Sequence, residues 1–161
     1  MKSNARLFGH AIHPMLIVFP LGLLIIAVVF DGIYLLTRER TFAAVAYWDI
    51  AAGIIGGFVA AVFGFIDWMA IPVGTRAKTI GAWHGGANFV MLMFFGISWL
   101  IRYGAPEHSP NTLSLLLELA GVGVALIGGW LGGELVEQFG VGVNSNANLD
   151  APSSLTEKVI E

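Results

Sequence analysis

Four apolar stretches, at about residues 12–36, 42–66, 80–101 and 113–136, dominate the chain. Each supplies about 20 helical residues, the length that crosses a hydrocarbon core. Polar breaks separate them at 37–41, 67–79 and 102–112, and every break holds an arginine. A spanning segment must satisfy its own backbone, which leaves helices or a closed barrel. Apolar and polar residues nowhere alternate with period 2, so a barrel is not expected. The expected fold is all-α: an integral membrane four-helix bundle, up-down-up-down. Its domain covers residues 1–143, and a polar, mobile tail covers 144–161. Lys2 and Arg6 precede the first stretch as in a signal peptide. That stretch is too long for one and lacks a small-residue cleavage site, so it is expected to be retained.

Composition supports the bilayer as solvent. Hydrophobic residues make up 57% of the 161 and charged residues 12%, about half the charge of an average soluble domain. Disorder and a coiled coil are excluded. So is nucleic-acid binding, which needs a basic face, because 8 Lys+Arg stand against 11 Asp+Glu. Cysteine is absent, which removes disulfides, iron–sulfur clusters and thiol nucleophiles.

Both termini and the second break fall on one side, with Lys2, Arg6, Arg76 and Lys78. The other side carries Arg38, Arg40 and Arg102. The positive-inside rule then expects a bacterial inner-membrane protein with cytoplasmic termini, by a margin of one charge. Gly53/Gly57, Gly128/Gly132 and Gly129/Gly133 form small-xxx-small pairs, which predict close helix packing and homo- or hetero-oligomers through Gly-rich faces. His13 and His84 open the first and third stretches 71 residues apart, and the same step relates Asp31 to Arg102. Two duplicated helical hairpins about an axis along the membrane normal would give this pattern.

Ionisable side chains at membrane depth are costly and mark function by default. They sort into two layers. The terminal-side layer holds His10, His13, Asp67, His84, Glu134 and Glu137; the opposite layer holds Asp31, Asp49, Arg102 and Glu118. His13 and His84, with His10 nearby, are candidate axial ligands of a b-type haem, which bundles hold with imidazoles from facing helices. His13, His84, Asp67 and Glu134 form the alternative, a two-His, two-carboxylate set suited to Fe, Zn or Mn. Proton transfer is a third use of imidazole. The opposite layer reads as a structural ion network, with a proton path as its alternative. His108, between Pro106 and Pro110, is expected in solvent. Trp48, Trp68, Trp83 and Trp99 read as interfacial belts, and Trp68 and Trp83 could also wall a cofactor. Serine-nucleophile and phosphate-cradling motifs are absent.

The motifs also carry a resemblance. His10-Ala-Ile-His13-Pro14 through Phe19-Pro20, Asp31, Gly64-Phe-Ile-Asp67-Trp68, Trp83-His84 and Gly132-Gly133-Glu134-Leu135-Val136 with Gly140-Val-Gly142-Val143 resemble the DUF2231 family of predicted bacterial membrane proteins. The resemblance runs from about His10 to Val143. It implies four transmembrane helices and singles out His13, Asp67 and His84. It carries no activity with it, although relatives fused to a Rieske-type iron–sulfur domain hint at electron transfer. The combined expectation is a haem or metal site at the terminal-side membrane edge that serves electron transfer, with quinone or a redox protein as partner. The alternatives are a cofactor-free accessory subunit of a larger membrane complex and a proton or ion pathway.

Overall fold

The computed structural model describes residues 1–155, so the end of the expected tail lies outside the described residues. Five helices carry the fold: α1 (Ile12–Leu16), α2 (Val18–Thr37), α3 (Arg40–Ala70), α4 (Arg76–Arg102) and α5 (Thr112–Glu137). The α1–α2 break has a local cause. Pro20 has no N–H to give the carbonyl of Leu16, so the helical ladder lapses there. Ile17 still donates to His13 O at 3.1 Å and Leu21 to Ile17 O at 3.2 Å, and the two pieces form one span. Four spans are long and apolar enough to cross a membrane, as expected.

The helices outrun the apolar stretches, and the breaks shrink accordingly. α3 has 31 residues and α4 has 27. The added residues include Arg40 and Asp67 on α3 and Arg76, Lys78 and Arg102 on α4. Side chains define the starts. Thr75 Oγ1 accepts from Lys78 N at 3.2 Å. Asn111 and Ser114 form a reciprocal capping box, each side chain bonded to the other's backbone N–H at 2.9 Å. The preceding connection folds into a short 3-10 turn, Pro106–His108.

The sequence gives no sign of the piece of sheet found among the described residues. Arg6–Leu7 (β1) and His10–Ala11 (β2) pair as a hairpin ahead of α1. Phe8 and Gly9 turn it with φ of 49° and 83°, both positive, as a two-residue type I′ turn requires. His10 therefore sits in a strand rather than in the first helix.

α2 packs on α3 and α4 on α5, and the hairpins meet through α3–α4 and, less extensively, α2–α5. That leaves α2 and α4 on the diagonal. Leu24, Ala27, Ala46, Ile50, Leu92 and Phe95 form the buried centre. The two hairpins repeat each other's contacts. A Cβ added to Gly53 would stand 2.7 Å from Leu24, and one added to Gly121 would stand 2.7 Å from Phe95. Leu24 and Phe95 are related by the same 71-residue step as His13 and His84. The outer surface of the spans is largely apolar, with Phe19, Ile55, Phe58, Val62, Leu100, Leu126 and Trp130 exposed.

Candidate functional site

Two polar clusters interrupt the apolar interior, one near each end. At the terminal end, α1 places His13 against α3 and α4 places His84 against α5. His13 Nδ1–H donates to Ala60 O at 2.8 Å, and His84 Nδ1–H donates to Gly128 O at 2.9 Å. Helix carbonyls only accept, so these bonds assign the protons to Nδ1 and leave each Nε2 as an acceptor. Each ring lies on a glycine one turn further along. Added Cβ atoms on Gly64 and Gly132 would come within 2.9 Å of His13 and 3.0 Å of His84. The ring centres are 6.1 Å apart and the planes nearly perpendicular, at 88°. Asn88 donates to the His84 carbonyl at 2.8 Å, with its amide nitrogen 3.5 Å from His84 Nε2.

The rest of the expected terminal-side set is not gathered with this pair. The Asp67 carboxylate holds the N-terminal segment: it accepts from Ser3 Oγ at 2.7 Å, Asn4 N at 2.9 Å and Ala5 N at 3.3 Å. His10 is exposed on the hairpin, with Nδ1 on Phe8 O at 3.1 Å. It borders a surface hollow of about 350 Å³ with Arg6, Asn144, Asn146 and Ser154. Glu134 is half-buried and bonds to neither histidine, and Glu137 is exposed. Among the described residues, no group of three or more His, Asp or Glu side chains is arranged to hold a metal. What the structure brings together at this end is a pair of imidazoles.

At the loop end, Arg102 closes α4 and reaches inward. Its guanidinium grips Asp31 of α2 through two parallel bonds, Nη1 to Oδ2 at 2.6 Å and Nη2 to Oδ1 at 2.9 Å. Nη1 also donates to Glu118 Oε1 of α5 at 2.9 Å, Nη2 to Ala43 O at 3.0 Å and Nε to His108 O at 2.9 Å. Ser98 Oγ donates to the same Glu118 oxygen at 2.5 Å. Glu118 Oε2 and Trp99 Nε1 are buried without partners.

The expected second layer thus forms through Asp31, Arg102 and Glu118. Asp49 does not join it. The buried stripe of α3 runs through Ala43, Ala46, Tyr47, Ile50 and Gly53, and Asp49 lies off that stripe at the same depth. His108 corrects a second expectation. The Pro-bounded turn folds back over the bundle end, and the His108 ring stacks on Tyr47 with centres 3.8 Å apart and planes at 7°. Trp99 stacks on Tyr47 at 5.3 Å, so it belongs to this cap rather than to a lipid-facing belt. Trp68 is also engaged within the protein. Its Nε1 donates to Lys78 O at 3.1 Å, and Lys78 Nζ lies 4.0 Å from its ring centre and donates to its carbonyl at 2.7 Å. Trp48 and Trp83 face outward, as belts do. Ser98, Tyr47 and Asn88 were not visible as site residues, because uncharged polar side chains carry no large desolvation cost that would mark them.

A family model described as a predicted membrane protein, DUF2231, matches residues 9–145. No curated protein and no solved structure matches the chain. The matched stretch contains both polar clusters.

Proposed function

Because the chain belongs to the DUF2231 family of predicted membrane proteins, its chemistry works inside a bilayer, and we propose that His13 and His84 hold a redox centre there. The centre is a b-type haem or a single transition-metal ion, and its task is one-electron transfer with quinone or a redox protein. One observation carries this reading. Both imidazoles donate Nδ1–H to helix carbonyls, at 2.8 and 2.9 Å, as metal-bound histidines almost always do with their second nitrogen. That arrangement presents two basic Nε2 atoms.

The 6.1 Å between ring centres supports the reading. His13 and His84 would hold the centre through Nε2, and the centre would supply the one-electron chemistry. Glycines at positions 64 and 132 give the rings room against the neighbouring helices. The excess of Lys2, Arg6, Arg76 and Lys78 over Arg38, Arg40 and Arg102 favours a bacterial inner membrane with cytoplasmic termini.

An absorption spectrum of the purified chain, with elemental analysis, tests this. A Soret band that shifts on reduction identifies haem, and a stoichiometric metal without that band identifies an ion. His13→Ala and His84→Ala should each abolish the signal, whereas Asp67→Asn should leave it, since Asp67 serves the N-terminal segment. A chain with neither Soret band nor metal overturns the proposal. The accessory-subunit reading has one observation of its own: an added Cβ on Gly129 or Gly133 would meet nothing within 4 Å, which leaves a small-residue face of α5 turned outward.

A further inference from the structure

Charge does not balance in the loop-end cluster. Asp31 and Glu118 bring two carboxylates and Arg102 one guanidinium, and the exposure of all three side chains is 0%. Arg102 has no donor left to offer. Its five N–H groups go to Asp31 twice and to Glu118, Ala43 and His108 once each. Glu118 uses Oε1 for both Ser98 and Arg102, while Oε2 is buried with no partner.

The groups packed around Glu118 do not supply the missing positive charge. Asp31 faces it from α2 and Arg102 from α4. Tyr47 of α3 and His108 of the turn cap the cluster, and neither side chain bonds to a carboxylate. All three side chains are fully buried, and a buried ion without a partner costs far more than its neutral form.

We propose that the Asp31–Arg102–Glu118 cluster is a proton-binding site, holding one exchangeable proton on its carboxyl pair. One proton makes the set neutral and turns an unpartnered acceptor into a hydroxyl. Uptake forms a single O–H bond with a proton from water and breaks no bond in the chain. The site is separate from the histidine pair, because Leu24, Ile50, Leu92 and Phe95 fill the bundle between them.

Infrared spectroscopy of the full chain in mild detergent at neutral pH tests the proposal. The expected result is a protonated-carboxyl C=O band that shifts in D₂O. Glu118→Gln and Asp31→Asn should each remove it, since either leaves one carboxylate for one guanidinium. Asp49→Asn and His13→Ala should retain it, which separates this site from the proposed redox centre. Absence of the band, or its survival in both Glu118→Gln and Asp31→Asn, overturns the proposal. Either substitution decides if the other fails to fold. If both fail, Ser98→Ala decides: it removes a donor from Glu118 Oε1 and must shift the band, and an unshifted band overturns the proposal.

Discussion

Arg102 shows how much one side chain can organise inside a bilayer. It ties α2, α3, α5 and the Pro106–His108 turn to the end of α4, using every donor it has. Arg102→Met should destabilise the bundle by about 3–5 kcal/mol, because the buried carboxyl pair loses its cation and its donors. Arg102→Lys keeps the charge but offers three donors from one point instead of a planar fork. It should cost less, about 1–3 kcal/mol for the carboxylate or carbonyl acceptors it leaves unpaired. Unfolding in mixed micelles would measure both. Depth along a span is legible from residue number, so Asp31, Arg102 and Glu118 could be placed in one layer from sequence. Direction around the helix was harder to read. Asp49 shares the layer but sits off the stripe from Ala43 to Gly53. Pro106 and Pro110 signal a turn at His108 without saying what the turn folds onto.

The helices owe their spacing to where glycines meet large side chains. Gly53 and Gly57 admit Leu24 and Leu92, and Gly128 and Gly132 admit Asn88 and His84. Close packing at these two pairs was legible from their spacing. Gly129 and Gly133 share the spacing, but an added Cβ at either would meet nothing within 4 Å. One residue advances the face by about 100°, so adjacent pairs cannot serve one neighbour. Two substitutions on α5 separate these situations. Gly121→Ala would place a methyl 2.7 Å from the fully buried Phe95, and should cost about 1–3 kcal/mol by overpacking. Gly123→Ala meets open space and should be neutral, or stabilising by up to about 1 kcal/mol through helix propensity. Thermal unfolding in detergent distinguishes them. Asp67 is the side chain that ties down residues 3–5 of the N-terminal segment, while backbone bonds join Met1 to Gly140 and Gly142. Asp67→Ala removes the acceptor for Ser3, Asn4 and Ala5, so limited proteolysis should cut near the start of the chain while the four spans stay intact.

At the scale of the whole molecule, the fold is a bundle whose outside is built for lipid and whose inside is apolar between two polar ends. The start of α1, the α3–α4 connection and the end of α5 share one end, and the other two connections share the opposite one. The chain has no cysteine, so single-cysteine labelling reads this directly. Asp150→Cys and Glu107→Cys should react with an impermeant maleimide from opposite faces of sealed vesicles. Labelling of both from one face would contradict the arrangement. This level was the most legible, because four apolar runs with arginine-bearing breaks admit few alternatives. The hairpin at Arg6–Ala11 escaped because a two-residue strand is too short to show a period.

If the two hairpins arose by duplication, their contacts constrain how. Residues one 71-residue step apart meet face to face, His13 with His84 and Asp31 with Arg102. Across a twofold axis like must meet like. Two identical hairpins would seat imidazole beside imidazole without difficulty, but they would set Asp against Asp or Arg against Arg. The histidine pair is therefore compatible with an ancestral dimer of identical halves. The ion pair is not: it requires halves that differ at this position.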